Sequence, residues 1–196
     1  MPGEGSSERP DVVEPHGDGH LYGQVCGLLQ QLPRAPEQPF PGAASEAELT
    51  DLARRLKTGL PEDLAAWLRV CKGEAIGPGG VFGARPDNEA NDMAARLALY
   101  PQWRSKGWLP VAGDGCGNCY VLLTAGPLTG FVAFVDTADA PARLDYVVAT
   151  RLWRFLLFLF RRELGASGWP FDPRAVLAED PGLAKAPTEL LPWSDR

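Results

Sequence analysis

The sequence predicts an α+β domain in which an antiparallel sheet packs against helices. Three short apolar runs separated by turn signals lie within residues 108–136, as in a meander of neighbouring strands. Segments with apolar residues three and four positions apart lie on both sides of that region, as in helices that bury one face. With 196 residues, 45% of them hydrophobic, the chain can build one core of ordinary size.

The predicted meander begins at Trp108. The Asp114-Gly115 pair gives its first turn, because glycine takes positive φ without steric cost. Residues 120–123 form the second apolar run, and Gly126-Pro127 separates it from a third run over 131–135 that is rich in aromatic and β-branched residues. The meander therefore organises the rest of the chain.

Two helices are predicted before the sheet. Ser45 and Glu48 form a capping box that starts the first, which we expect to end at Gly59. Pro61 suits the first turn of the second helix, because a helix leaves that N–H unpaired, and Gly73 ends it. An earlier helix is predicted over 21–32, followed by a proline-rich linker. Residues 1–17 are rich in Pro, Gly, Glu and Ser and are expected to be disordered.

Residues 74–86 are glycine-rich and predict a short strand at Val81-Phe82. Residues 88–100 predict a helix with Met93 and Leu97 inward, and residues 101–103 lead into the meander. After it, residues 146–148 predict an edge strand.

The last strong helix is predicted over 150–164. It is apolar almost all round, so we expect the sheet on one face and other helices or an extension on the next. Asp172-Pro173 starts one more short helix. Trp169 and Trp193 are expected to cover the domain from the C-terminal extension, while four tryptophans are assigned to the core: Trp67, Trp103, Trp108 and Trp153.

Charge and composition narrow the classes of function. A formal net charge of −6 argues against sequence-independent nucleic-acid binding and is compatible with a basic protein partner. The first twenty residues lack the pattern of a secretory signal, and the apolar run 152–160 is too short to cross a bilayer. We therefore expect a cytoplasmic protein, not bound to membranes, whose four cysteines are reduced.

Few residues suggest catalysis. Cys116 and Cys119 form a CxxC motif, which could be a redox pair, half of a zinc site, or a glycine-rich turn with incidental cysteines. His16 and His20 lie in a leader that would not hold a catalytic base rigidly. The glycines of residues 77–80 lack the lysine and Ser/Thr of a phosphate loop. The sequence therefore predicts no catalytic residue, metal or cofactor.

Several carboxylates form the remaining candidate site. Their spacing selects no general acid and base, so they form either a solvated acidic rim or a negative patch for a basic partner. They are Asp87, Glu89, Asp92, Asp114, Asp136 and Asp139.

Two stretches resemble the SMI1/KNR4 (SUKH) family. Residues 60–64 (LPEDL), followed by Trp67-Leu68 and Gly73, resemble the family's opening helix. Residues 108–115 (WLPVAGDG), with Gly117-Asn118 and Tyr120, resemble its central signature. Lys72 departs from the Asn that commonly precedes the closing glycine. The resemblance covers residues 46–164, and it sets the predicted organisation: an N-terminal extension with one helix over 1–44, a domain over 45–164, and a C-terminal extension over 165–196.

The resemblance implies an α+β fold with a mixed, largely antiparallel sheet flanked by helices, and no catalytic residues. Bacterial members are immunity proteins that bind and neutralise polymorphic toxins, often nucleases or deaminases; fungal relatives regulate the cell wall through protein contacts. The leading hypothesis is therefore a bacterial immunity protein that meets a basic toxin domain through Asp114, Asp136 and Asp139. A regulatory scaffold without a toxin, and a small metal-dependent enzyme or hydrolase, are the alternatives.

Overall fold

The computed structural model describes residues 19–194, which contain seven α-helices and four strands. The predicted disorder of residues 1–17 concerns a segment outside this range. The helices are α1 (Gly19–Gln31), α2 (Glu46–Leu56), α3 (Glu62–Leu68), α4 (Met93–Leu99), α5 (Gln102–Lys106), α6 (Leu152–Glu163) and α7 (Pro173–Glu179). The strands are β1 (Trp108–Gly113), β2 (Cys119–Leu123), β3 (Val132–Val135) and β4 (Tyr146–Ala149), and 3-10 turns span Glu89–Asn91, Pro181–Lys185 and Thr188–Leu190.

The four strands form one sheet in the order β1-β2-β3-β4, and every neighbouring pair is antiparallel. This confirms the predicted α+β class and the meander. The predicted largely antiparallel character is observed, and this sheet is antiparallel throughout because short connections between sequential strands return the chain in the opposite direction. Within residues 19–194 the one parallel pairing is an isolated bridge between Gly83 and Asp92, outside the sheet.

Helix α6 lies at the centre of the fold. On one side the ring of Phe155 lies 5.0 Å from that of Tyr120 in β2. On another side Trp153 lies 5.1 Å from Tyr22 of α1 and 6.0 Å from Trp67 of α3. The predicted burial of this helix on more than one side is confirmed, as is the burial of all four tryptophans assigned to the core. Of the helices in residues 19–194, none combines the length and apolar character needed to cross a membrane.

The start of α2 matches the sequence, but its end does not. Both hydrogen bonds of the capping box form, from the Glu48 N–H to the Ser45 hydroxyl and from the Ser45 N–H to the Glu48 carboxylate. The helix ends at Leu56, not at Gly59, because Lys57 adopts a left-handed backbone with φ of 60° and its N–H bonds back to helix carbonyls. A non-glycine residue in that conformation is not evident from residue type alone.

The segment before the sheet is more broken than predicted. Asp92 interrupts the helix expected over 88–100: its carboxylate caps α4 by accepting the Ala95 N–H at 3.0 Å, and it pairs with Arg55 of α2. Helix α5 was not predicted; it ends at Lys106 and is followed by the C-cap residue Gly107, which has φ of 66°. Similarly, α3 ends at Leu68, before the expected glycine.

The C-terminal segment covers the edge strand β4. The indole N–H of Trp169 donates to the Val148 carbonyl at 3.0 Å. Asp180 is buried and accepts the Thr150 N–H at 2.8 Å and the Thr150 hydroxyl at 2.7 Å. Trp169 and Trp193 are both partly buried against the core, as expected. This segment therefore occupies positions at which an exposed edge would accept another strand.

Candidate functional site

The turn between β1 and β2 is built around Asp114. One carboxylate oxygen accepts the N–H groups of Cys116 at 2.7 Å and Asn118 at 3.0 Å, and the other accepts the Asn118 side-chain amide at 2.9 Å. Gly115 and Gly117 take positive φ of 87° and 103° to close the turn. The Asp114 side chain, half-buried, is thus mainly occupied in shaping its own loop.

The loop between β3 and β4 contains the other two predicted site residues. Asp136 is half-buried and accepts the N–H groups of Ala138 at 2.9 Å and Asp139 at 3.0 Å. The side chain of Asp139 itself is 78% exposed, and its nearest cation is Arg143 at 3.8 Å. Of the three predicted aspartates, Asp139 is therefore the one most available to another molecule.

Asn118 joins these two loops. Its side-chain oxygen accepts the Thr137 N–H at 3.0 Å, and the Thr137 hydroxyl donates to the Gly117 carbonyl at 3.0 Å. The structure thus places the loops that carry Asp114, Asp136 and Asp139 side by side, on a surface that we call the loop end (residues 114–118 and 136–145). Sequence reasoning used Asn118 only as part of a motif; its amide next to a glycine turn was the available signal.

A glycine-lined hollow adjoins the loop end. It has a volume of about 300 Å³, and its polar side chains include Asn91, Arg96 and Asn118. Its glycines have a packing role: a Cβ at Gly79 would lie 2.1 Å from the Gly113 carbonyl carbon, so the two backbones cross where only glycine fits. This crossing explains Gly79, whereas a Cβ at Gly77 would meet the Glu163 carboxylate and a Cβ at Gly80 would meet the Asn91 amide.

Of the two cysteines in the CxxC motif, the buried one, Cys119, stays a protonated thiol at neutral pH. Cys116 is exposed on the turn, whereas Cys119 is buried, and burial raises the pKa of the Cys119 thiol to about 11. Burial likewise raises the pKa of Cys71 to about 12. Such thiols are poor nucleophiles and poor metal ligands at neutral pH. Across residues 19–194, no three His, Cys, Asp or Glu side chains are grouped as a metal site; His16 lies outside that range, and His20 contacts Gln24.

A second hollow, of about 580 Å³, lies between the linker after α1 and the loops on either side of residue 80. Its cations have partners: Arg34 pairs with the buried Glu74, and Arg85 binds Asp87 at 3.0 Å. Lys72 binds Glu48 at 2.8 Å. Because these three cations already have acidic partners, they are not free to attract an anionic ligand.

Comparison with known proteins agrees with the signature residues. No curated protein matches the chain. The SMI1 / KNR4 family (SUKH-1), by contrast, matches it over residues 43–156, which is more than half of its length and includes α2, α3, the whole sheet and the start of α6. That family is one of domains that act through protein–protein interaction. The resemblance seen in the sequence is thereby confirmed, and the chain belongs to the SMI1/KNR4 (SUKH-1) family.

Proposed function

We propose that this protein is a bacterial immunity protein that acts in the cytoplasm and neutralises a cognate polymorphic toxin, of nuclease or deaminase type, by binding it directly. Membership of a family of binding domains supports this reading. The single observation that carries the proposal is the loop end, where the loops that carry Asp114, Asp136 and Asp139 are held together by Asn118 and Thr137. A rigid surface of this kind loses little entropy on binding.

The proposed contact surface contains Asp114, Asp136 and Asp139, with different tasks. Asp114 and Asp136 accept backbone N–H groups, so they would set the shape of the surface. Asp139 projects into solvent and would meet a cation of the toxin. Rim charges of this kind mainly speed encounter and choose the partner.

The proposal predicts that a toxin domain is encoded beside this gene, and the test measures its binding, in a catalytically inactive form, by isothermal titration calorimetry. We expect the toxin domain to bind the native protein. The affinity should fall about tenfold or more when Asp136 and Asp139 are both changed to Lys, because each charge reversal introduces repulsion against a basic partner. Asp139→Lys alone keeps the hydrogen bonds of Asp136 and should give a smaller loss in the same direction.

Glu62→Lys is the matched control, since Glu62 is an exposed acid in the first turn of α3, away from the loop end in the chain. It makes the same change of charge and should leave the affinity nearly unchanged. Equal losses for Glu62→Lys and Asp139→Lys would show a general charge effect and no loop-end contact. A native protein that does not bind the toxin domain at all would remove the immunity role.

A further inference from the structure

A row of aromatic rings crosses the sheet beside the loop end. The rings of Tyr120 and Phe134, which are cross-strand neighbours, lie 5.3 Å apart. Phe134 stacks on its own cross-strand neighbour Tyr146 at 5.0 Å with 14° between the planes. Tyr146 in turn meets the edge of Phe171 at 5.6 Å. The row thus runs from β2 across β3 and β4 to the segment before α7.

Exposure rises along this row. Tyr120 is buried, Phe134 and Tyr146 are half-buried, and Phe171 is 59% exposed. A single exposed phenylalanine is ordinary on a protein surface. Here, however, the exposed ring continues a stacked pair, so a partner that covers Phe171 would meet a preformed aromatic surface. We call Phe134, Tyr146 and Phe171 the aromatic strip.

Carboxylates lie close in the chain to residues of the strip. Asp136 follows Phe134 by two residues, directly after the end of β3. Asp145 precedes Tyr146, and its N–H donates to the Phe134 carbonyl at 2.9 Å. Arg143, whose side chain is 69% exposed, lies 3.8 Å from the exposed Asp139 and 3.9 Å from Asp145, whose side chain is 17% exposed. The long pair with Asp139 is exposed at both ends and therefore weak, so a partner's cation could displace Arg143 from Asp139.

We infer that the aromatic strip is the docking site for an arginine-bearing segment of a basic protein partner. Arginine fits this chemistry better than lysine, because its planar guanidinium stacks on aromatic rings while it donates to carboxylates at the edge. Aromatic residues also dominate the energetic centres of interfaces, whereas exposed rim charges contribute little. The inference rests on the proposed function for the identity of the partner, but not for the chemistry of the strip.

The direct test is solution NMR of the full-length protein, with side-chain aromatic and backbone amide signals assigned. Blocked hexapeptides of arginine, lysine and glutamate serve as probes at about 50 mM salt, where exposed charges are only partly screened. We expect the arginine peptide to shift signals of Phe134, Tyr146 and Phe171, the lysine peptide to bind more weakly at the same place, and the glutamate peptide not to bind there.

Two substitutions at one position separate ring chemistry from simple apolar contact. Phe171→Leu keeps an apolar side chain but removes the π face. We expect it to lower the affinity for the arginine peptide about threefold, as for loss of an exposed cation–π contact. Phe171→Ala should lower this affinity at least as much. Leu99→Ala is the control, because Leu99 on α4 is 63% exposed and forms no part of the strip.

Several outcomes would overturn the inference. It fails if the arginine peptide shifts signals that cluster elsewhere, or if Phe171→Leu and the native protein bind the peptide with equal affinity. It also fails if the free protein shows nuclear Overhauser contacts between Phe171 and residues 1–18, or forms a dimer that Phe171→Ala dissociates. In both of these cases the strip would be covered by this chain itself. If the peptide binds the strip but the neighbouring toxin domain does not bind, only the immunity role fails; if the toxin domain binds and Phe171→Ala has no effect on it, only the strip fails.

Discussion

At the scale of single residues, three aspartates that are equivalent in the sequence have different surroundings. Asp114 and Asp136 accept backbone N–H groups of their own loops, while Asp139 is left in solvent. Their positions after strands were predictable from the meander. Their separate tasks were not, because they depend on which backbone N–H groups each loop leaves unpaired.

Glu48 is the residue whose charge state contributes most clearly to stability. Hydrogen bonds from Lys72 and from the N–H and hydroxyl of Ser45 lower the pKa of Glu48 from 4.5 to about 2. A lowered carboxyl pKa stabilises the fold fully above pH 4.5, and that contribution is lost as the pH falls towards about 2. We therefore predict that the urea midpoint of the native protein falls over this window.

In Glu48→Gln the urea midpoint should depend less on pH between 4.5 and about 2, because the amide cannot take up the proton. Lys72→Met removes the largest cause of the lowered pKa and should weaken the same dependence. The measurement is urea denaturation followed by tryptophan fluorescence at several pH values. Parallel profiles for both variants and the native protein would contradict the assigned role of the pair.

At the scale of elements, the sequence predicted those with a strong local period and missed those fixed by tertiary contacts. The capping box, the three strands of the meander and the apolar α6 follow from spacing. Helix α5 and the break at Asp92 do not: Asp92 caps α4 only because Arg55 of another helix neutralises its buried charge. A pair between residues so far apart in the sequence cannot be predicted from a short stretch of it.

The attachment of the C-terminal segment to β4 gives a prediction at this scale. Asp180→Ala leaves the Thr150 N–H and hydroxyl without their buried acceptor, which should cost about 1–3 kcal/mol of unfolding free energy. Hydrogen exchange at the Thr150 amide should become faster in the same variant. Glu189→Ala, on an exposed side chain of the same segment, should change neither quantity. Unchanged exchange at Thr150 in Asp180→Ala would mean that this contact does not hold the segment in place.

At the scale of the whole molecule, the net charge of −6 is a property that acts at a distance. An acidic protein and a basic domain attract each other before they touch, and salt screens that attraction over about 10 Å at 0.1 M. Composition alone leads to the prediction that the partner is basic. The proposed place of contact needed the structure, because Asn118 and Thr137 bring separate loops together.

We predict that salt slows the association of this protein with the toxin domain far more than it changes dissociation. Between about 0.05 and 0.5 M salt, the association rate should fall roughly tenfold, as expected for electrostatic steering. Surface plasmon resonance at several salt concentrations measures both rates. A salt effect confined to dissociation would indicate that the aspartates form tight buried pairs and do not steer encounter.

The joint between Asn118 and Thr137 has a consequence for how such a protein can change its specificity. The joint uses residues at the base of the second loop, whereas Ala138, Asp139 and Arg143 lie beyond it on the exposed part. Replacements or small insertions in that outer part leave the joint intact. Substitutions in this outer part of the loop can therefore change which partner is recognised, while the rest of the chain keeps its fold.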